Sequence, residues 1–452
     1  MSQNQSVNIR AAVLNVLMAV MEDGEYSDKA VHKALDNIEY LDKRDRAFLT
    51  RLSEGTIERC IELDYIINQY SKTKVKKMKP VIRNIIRMGV YQIIYMEQVP
   101  DSAACNEAVK LAVKRKFVNL KGFVNGVLRT ISREKDNIKY PEKNDFIRYA
   151  QIKYSMPEWI VKRYVSSYGE EKTEKILKSY LSENRSICVR CNISKASLEA
   201  IRKLLEDDGV KVSQGRFSDY ALYLENFGKI TELEAFKRGF IQVQDESSML
   251  VGGILEVKNG DNIIDVCAAP GGKTLHAADL LNGTGKVISC DLTELKTKLI
   301  RDNVMRNGFE NVDVHVFDAL VFNEEWENSA DIVIADLPCS GLGVIGKKCD
   351  IKYKTKEEDI ESLSKIQKQI LKNVSKYVKK GGRLIFSTCT IAEQENEENV
   401  KWIRENLPFS SVSIEEDLPL VLKGVTGENG YLQVLPYMAE TDGFFISAFI
   451  KN

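Results

Sequence analysis

The feature that most constrains the fold is an alternation of apolar strands and helical segments from about Gln242 to the end of the chain. Five strand candidates share a β-branched, apolar composition, and helical segments separate most of them. They span residues 262–266, 286–290, 312–316, 332–335 and 383–386. Because parallel strands need crossover connections, the alternation predicts a doubly wound α/β sheet. Apolar runs around 432–435 and 444–449 predict a closing hairpin at its far edge.

The first part of the chain follows a different pattern. Between Val7 and Arg133 apolar residues recur at helical spacing, which predicts a bundle of helices with short connections. A polar stretch over 132–144 separates this bundle from a segment of mixed helix and strand character. We therefore expect a helical domain over 1–140, a small α+β module over 141–238 and the α/β domain over 239–452.

Composition excludes several classes of protein. No apolar run approaches the ~20 residues of a membrane span, and residues 1–8 lack the features of a secretory signal. Nine cysteines, an odd and scattered set, do not form a disulfide framework, so we expect a cytoplasmic protein. Net charge is zero, yet basic residues crowd 72–79 and 110–121, and acidic residues collect at 393–398. Taken alone, each basic cluster is typical of a solvated surface.

The first strand of the α/β domain ends in a loop of small residues, Asp265-Val-Cys-Ala-Ala-Pro-Gly-Gly-Lys-Thr274. In open α/β sheets ligands bind beyond the carboxyl ends of the strands, and paired glycines let the backbone approach a ligand closely. A phosphate-binding P-loop would need glycine at Cys267, and Pro270 removes a backbone donor. No dinucleotide fingerprint occurs here either.

Aspartates follow the next strand ends as well, at Asp291, Asp318 and Asp336. Aspartate at such positions commonly caps the following helix, but a series along consecutive strands favours a nucleoside ligand. The three histidines stand alone in the sequence and indicate no metal site.

Two cysteines follow strands at the same predicted edge, Cys339 in Asp336-Leu-Pro-Cys-Ser-Gly341 and Cys389 in Ser387-Thr-Cys-Thr390. Two thiols there suit chemistry on a pyrimidine, in which a thiolate adds to C6 of cytosine before C5 accepts a methyl group. The residues alone do not rank the two thiols. By contrast, Cys188 and Cys191 have metal-pair spacing, but strand alternation puts them on opposite faces, so we predict no metal there.

Together these motifs resemble the RNA cytosine-C5 methyltransferases, and Gln244-Asp-Glu-Ser-Ser248 and Asp442-Gly-Phe-Phe445 resemble their flanking motifs. The N-terminal part resembles the RNA-binding antitermination factor NusB over 99–109 and 122–129. The combination is similar, over nearly the whole chain, to the bacterial 16S rRNA cytosine-C5 methyltransferases of the RsmB/Sun/Fmu family. That resemblance implies an α/β fold: a Rossmann-like methyltransferase domain, dependent on S-adenosylmethionine (SAM), preceded by an all-α NusB-like domain and a small α+β, RRM-like module.

The resemblance also implies roles for individual residues. Cys389 would attack the base and Cys339 would assist release of the product. Asp291 would bind the ribose of SAM, Asp318 its adenine, and Asp336 would face the cofactor or the base. The remaining SAM-binding residues form the loop after the first strand: Cys267, Ala268, Ala269, Pro270, Gly271, Gly272 and Lys273.

The implied partner is RNA, either 16S rRNA or a small-subunit precursor, and neither DNA nor a membrane. Beside a domain that acts on RNA, the basic clusters favour phosphate contact. The family pattern departs mildly at Leu337, Lys347, Lys348, Cys349 and Thr390, none of which is a reacting group. Three alternatives stay open: a methyltransferase acting on transfer RNA, a non-catalytic ribosome assembly factor, and an RNA-dependent ATPase built on Gly271-Gly-Lys-Thr274.

Overall fold

The computed structural model describes residues 8–38, 41–182, 186–425, 430–439 and 441–452. The chain divides into two compact units, one of Met1–Leu181 with Ile345–Thr355 and one of Ser182–Val344 with Lys356–Asn452. The expectation about a secretory signal concerned residues 1–8, of which 1–7 lie outside the described residues. In the described part of the chain, every helix is too short or too polar to cross a membrane.

The first unit is helical, as its periodicity predicts. Its helices are α1 (Ile9–Met21), α2 (Ser27–Asp36), α3 (Lys43–Glu58), α4 (Cys60–Tyr70), α5 (Pro80–Tyr95), α6 (Asp101–Lys114), α7 (Lys121–Glu134), α8 (Phe146–Lys153) and α9 (Glu158–Tyr180). Asn8 caps α1 by accepting a hydrogen bond from the Ala11 amide at 3.1 Å, and Pro80 begins α5. Helices α8 and α9, which we expected in the α+β module, belong to this unit.

The segment Ile345–Thr355 packs within the same helical unit. Asp350 accepts hydrogen bonds from the Ser27 amide at 3.1 Å and from the Ser27 hydroxyl at 2.6 Å. Lys352 is buried, donates to the Glu58 carbonyl at 2.7 Å, and has its pKa lowered to about 8 by burial. Cys349 is buried here too, so its sulfur serves packing, as expected of a small apolar residue.

The α+β module lies in the second unit as a four-stranded antiparallel sheet in the order β2-β3-β1-β4. Its strands and helices are β1 (Ile187–Cys191), α10 (Leu198–Asp207), β2 (Lys211–Gln214), β3 (Ala221–Glu225), α11 (Glu234–Lys237) and β4 (Ile241–Val243). The structure places β4, which lies beyond the boundary expected at 238, in this sheet. Cys191 joins the module's core while Cys188 packs against Met249 on the other face, as strand alternation predicts.

An eight-stranded sheet forms the rest of the second unit, in the order β10-β12-β9-β8-β5-β6-β7, with β11 paired to β12. The strands are β5 (Asn262–Asp265), β6 (Lys286–Asp291), β7 (Val312–Val316), β8 (Ala330–Asp336), β9 (Val378–Thr388), β10 (Phe409–Val412), β11 (Tyr431–Val434) and β12 (Phe444–Lys451). The helices in this stretch of chain are α12 (Glu246–Gly253), α13 (Gly272–Leu281), α14 (Glu294–Asn307), α15 (Ile351–Lys354, in the first unit), α16 (Glu357–Val374) and α17 (Glu397–Asn406).

Strands β5 to β9 are parallel, which confirms the doubly wound sheet and its five predicted strands. The late hairpin also forms, since β11 pairs with β12. Its predicted place at the far edge is wrong, however, because β12 lies between β9 and β10. Strand β10 was not predicted, because its sequence Phe-Ser-Ser-Val is too short and too polar to indicate a strand.

Candidate active site

The carboxyl ends of the five parallel strands bring the predicted residues to one edge of the sheet. Along this edge, in the order of the strands, lie Asp318 after β7, Asp291 at the end of β6, Asp265 at the end of β5, Asp336 at the end of β8 and Cys389 after β9. The parallel register sets Asp336 opposite Ser387. Residues far apart in sequence therefore share one edge, as the Rossmann-like topology requires.

The loop between β5 and α13 is here called the cofactor loop (residues 266–271). Its backbone amides donate hydrogen bonds to residues at the end of β6. The Ala268 amide donates to the Cys290 carbonyl at 2.8 Å, and the Ala269 amide donates to Asp291 at 3.0 Å. Gly271 has φ +106°, a conformation that residues with a side chain rarely adopt. Burial raises the pKa of the Cys267 thiol, so this sulfur stays neutral and the loop presents backbone rather than a nucleophile.

Lys273, in the first turn of α13, connects the cofactor loop to the next strands. Its Nζ donates to Asp336 at 2.6 Å and to the Ser248 hydroxyl at 2.9 Å, and it lies 5.1 Å from the centre of the Phe444 ring. The second oxygen of Asp336 accepts from the Ser387 hydroxyl at 2.9 Å. A lysine engaged by a carboxylate is not placed to hold phosphates, so this geometry disfavours the ATPase alternative.

Asp291 and Asp318 also stabilise the backbone that follows them. Asp291 accepts from the Leu292 amide at 2.7 Å and from Lys296 Nζ at 3.0 Å, and Asp318 accepts from the Leu320 amide at 2.9 Å. An ionised carboxylate has about four acceptor sites, so these contacts leave capacity for ligand hydroxyl or amino groups. Leu292 and Leu320 are exposed apolar side chains beside these carboxylates, which suits contact with the flat face of a base.

Asp265, the first residue of the motif that ends β5, also lies at this edge. It is fully buried, and its Oδ2 accepts a hydrogen bond from the Thr274 hydroxyl at 2.7 Å. Its Oδ1 meets no hydrogen-bond donor in the described part of the chain. Burial raises the pKa of Asp265 to about 7, because low-dielectric surroundings disfavour the charged form.

The loops after β8 and β9 bring the two candidate cysteines into contact. The Sγ atoms of Cys339 and Cys389 lie 3.2 Å apart, and both residues are half-buried. The hydrogen bond with Cys389, together with burial, raises the pKa of Cys339 well above its ordinary value. Cys339 therefore keeps its proton at neutral pH and can serve as a hydrogen-bond or proton donor.

Glu395 lies beneath these loops and ties them together. It is fully buried and accepts hydrogen bonds from the Ser340 amide at 2.9 Å, from the Ser340 hydroxyl and from Gln367 Nε2 at 3.0 Å. The hydroxyls of Ser340 and Thr390 are 2.7 Å apart, and Gln367 also donates to the Pro338 carbonyl at 2.9 Å. One carboxylate thus fixes the residues next to both cysteines. Glu395 was not predicted as a site residue, because it lies in an acidic run that is typical of a solvated surface.

Two flanking motifs meet beside the cysteine loops. The Asp442 amide donates to Asp245 at 3.3 Å, and the Gly443 amide donates to the Gly343 carbonyl at 2.9 Å. A Cβ at Gly343 would lie 2.1 Å from the Gly443 carbonyl oxygen and 2.8 Å from that of Cys389. Only glycine therefore allows the chain to pass this close to the cysteine loop.

Comparison with protein families gives three consecutive matches along the chain. Residues 253–450 match the family described as 16S rRNA methyltransferase RsmB/F. Residues 7–133 match the NusB family, and residues 156–231 match a ferredoxin-like domain of the RsmF/B-like methyltransferases. The helical part, the small module and the sheet with the cysteines thus each have counterparts in known families.

Individual relatives extend over nearly the whole chain. The probable ribosomal RNA small subunit methyltransferase B of Bacillus subtilis is 36% identical over 99% of this chain and 100% of its own length. The ribosomal RNA small subunit methyltransferase B of Proteus mirabilis is 29% identical over 99% of each chain. The crystal structure of the protein PH0851 superposes with a TM-score of 0.82 at 26% identity and covers 99% of both chains.

Proposed function

Since this chain belongs to the family of ribosomal RNA small subunit methyltransferase B, we propose that it transfers a methyl group from SAM to C5 of a cytosine in 16S rRNA. The observation that carries the C5 assignment is the contact of two thiols, Cys339 and Cys389, at 3.2 Å beside Asp336. Methylation at a ring nitrogen or at a ribose hydroxyl needs no thiol, whereas methylation at C5 needs one to activate the ring.

The residues at the cofactor edge fit SAM. The carboxylates of Asp291 and Asp318 accept hydrogen bonds, and they suit a ligand that carries ribose hydroxyls, an amino group and a positive sulfonium. Asp265 Oδ1 is buried and meets no donor among the described residues, and Gly271 lets the backbone of the loop approach a ligand closely. When bound, SAM supplies an electrophilic methyl group.

In the proposed reaction the Cys389 thiolate adds to C6 of the cytosine, and the electron pair of the C5–C6 double bond shifts within the ring and makes C5 nucleophilic. After C5 has taken the methyl group, a base removes the C5 proton, the electrons of that C–H bond restore the C5–C6 double bond, and the bond from C6 to sulfur breaks with its electrons on sulfur. Cys339 assists this release. The contact between the two thiols supports a shared role, because a thiol beside the attacking sulfur is placed to take part in the release step.

Asp336 is positioned by Lys273 and Ser387, and we propose that it hydrogen-bonds the edge of the cytosine. The base must first leave its stack, since C6 and the face that sulfur attacks are covered in stacked RNA.

The helical unit supplies RNA contact. In the segment between α4 and α5 five lysines are exposed while Val75 and Met78 between them are buried. These lysines are Lys72, Lys74, Lys76, Lys77 and Lys79. Such a one-sided arrangement presents charge to phosphate groups while the apolar side chains anchor the segment, and the match to the NusB family agrees with it.

The test is methyl transfer from radiolabelled SAM to 16S rRNA, followed by digestion to nucleosides and bisulfite mapping of the product. We expect the label in 5-methylcytidine at a defined cytosine of 16S rRNA. Label in another nucleoside, or in transfer RNA alone, would contradict the proposal. RNA binding without any transfer would instead support the non-catalytic assembly factor.

A further inference from the structure

We propose that Arg190, in the first strand of the α+β module, positions the cofactor loop of the neighbouring sheet and thereby sets the affinity for SAM. The inference rests on the proposed function for the identity of the ligand. It also gives the module a role in the cofactor site, which the proposed function did not assign to it.

Arg190 contacts the residue that directly follows the cofactor loop. Its side chain is fully buried, and one terminal nitrogen donates to the carbonyl of Gly272 at 2.9 Å and to Gln244 Oε1 at 2.8 Å. The other terminal nitrogen donates to Asn192 Oδ1 at 2.7 Å. Gly272 is the first residue of α13 and follows Gly271, the loop residue with positive φ. The guanidinium therefore holds the place where the loop turns into the helix.

The residues after Arg190 contact two helices of the neighbouring sheet, α13 and α14. Asn192 Nδ2 donates to Asn307 Oδ1, at the end of α14, at 2.6 Å. The amides of Ile193 and Ser194 donate to the two oxygens of Asp279 on α13, each at 3.1 Å. The strand end and its loop thus fix α13 and α14 together, and these helices follow the strands that carry Asp265 and Asp291.

Arginine is needed here because of its shape as well as its charge. The planar guanidinium reaches Gly272, Gln244 and Asn192 at once, whereas lysine offers a single nitrogen. A buried cation is tolerated only with well-placed acceptors, and among the described residues the two terminal nitrogens of Arg190 meet one backbone carbonyl and two side-chain amides. Burial lowers the pKa of Arg190 to about 10, so the charge is retained at neutral pH.

The experiment compares the full-length wild type with Arg190→Lys, Arg190→Met and the matched control Arg202→Lys. Arg202 lies in the same module on the partly exposed α10 and donates to Gln214 at 2.7 Å. We expect Arg190→Lys to weaken SAM binding about tenfold in calorimetric titration, and Arg190→Met to weaken it further. Affinity for 16S rRNA should change less than about threefold, and Arg202→Lys should change neither affinity.

A second measurement needs no cofactor. Amide hydrogen exchange of peptides that cover 267–275 should be faster in cofactor-free Arg190→Lys than in the wild type, with exchange in the β8 strand unchanged. If the Arg190 variants do not fold, Gln244→Met removes one acceptor of the same guanidinium, and we expect it to weaken SAM binding about threefold.

The outcomes separate this inference from the proposed function. SAM affinity and loop exchange equal to the wild type in Arg190→Lys would overturn the role of Arg190. A parallel loss of SAM affinity, RNA affinity and melting temperature would overturn it too, because that pattern belongs to general folding. A wild type that binds no SAM would instead contradict the proposed function, and the exchange experiment would still decide whether Arg190 orders the loop.

Discussion

Two buried carboxylates lie under the candidate site, and their surroundings differ. Glu395, under the cysteine loops, accepts hydrogen bonds from Ser340 and Gln367 on both of its oxygens. Asp265, at the end of β5, accepts one from Thr274, and its other oxygen meets no donor in the described residues. Both side chains are fully buried, and burial raises the pKa of each.

The difference indicates two ways of preparing a site. The cysteine side is complete within the protein, because hydrogen bonds to Glu395 hold the neighbours of Cys339 and Cys389 before any substrate arrives. The cofactor side is incomplete, because one oxygen of Asp265 has no donor in the part of the chain that the structure describes and the pKa of Asp265 is raised toward neutrality. We infer that the cysteines are preorganised and that the cofactor side is stabilised by its ligand.

The largest effect, on catalytic rate, should follow from replacing Glu395, the buried carboxylate under the cysteine loops. In Glu395→Gln an NH2 group replaces one of the two accepting oxygens, so the donors from Ser340 and Gln367 must rearrange and the two loops shift. We expect kcat to fall about a hundredfold while the KM for SAM changes less than about threefold. Steady-state kinetics with saturating rRNA measures both quantities.

The matched control is Glu398→Gln, the same substitution on an exposed residue of the same acidic run. It should leave kcat unchanged. Equal loss in both variants, or a rise in the KM for SAM with normal kcat in Glu395→Gln, would break the distinction between the two sides.

A smaller effect, on stability, should follow from replacing Asp265, the buried carboxylate of the cofactor side. The folded-state pKa of Asp265, about 7, lies above the unfolded value of about 3.9. As pH rises between these values the unfolded chain ionises first, so ionisation of Asp265 lowers stability between about pH 4 and pH 7 and has no further effect above. Asp265→Asn removes this loss.

We therefore expect calorimetry of the cofactor-free Asp265→Asn protein to give a melting temperature roughly 3–8 °C above the wild type at pH 8 and little difference near pH 4.5. Asp302→Asn, on an exposed carboxylate of α14, serves as the control and should show no such pH dependence. A constant difference between wild type and Asp265→Asn at all pH values would contradict the assignment of the raised pKa.

The smallest effect on methyl transfer should follow from replacing Cys188, which lies in the α+β module away from both carboxylates. Cys188 packs against Ala221 and Met249, while Cys191 lies in the core on the other face of β1. The two thiols cannot share an ion, so Cys188→Ala should keep methyl transfer within about twofold of the wild type, with or without prior dialysis against a chelator. A large, metal-reversible loss would show that the spacing of these cysteines has a function.

The sequence predicted those parts of the site that depend on the sheet. Because β8 and β9 are parallel neighbours, the residues after them had to meet, and the contact between Cys339 and Cys389 follows from topology. The helical unit was predictable for a similar reason, since helical periodicity is local. The roles of the individual residues remain proposals that rest on family resemblance.

The rest could not be predicted because it depends on contacts between distant segments. Glu395 stands in an acidic run that looks solvated, and only the approach of Ser340 and Gln367 buries it. Arg190 lies between two cysteines whose spacing is that of a metal-binding pair. Its contact with Gly272 joins residues 82 positions apart, which no local pattern indicates. Buried polar partners leave no periodic trace in a sequence.

The most direct test of the account is covalent trapping of RNA by variants of the two cysteines. Purified Cys339→Ala and Cys389→Ala are incubated with 16S rRNA and SAM, and denaturing gels then separate free protein from protein bonded to RNA. We predict that Cys339→Ala accumulates a covalent adduct, because release is impaired, and that Cys389→Ala forms none. An adduct with Cys389→Ala but none with Cys339→Ala would contradict the assignment of the attacking sulfur.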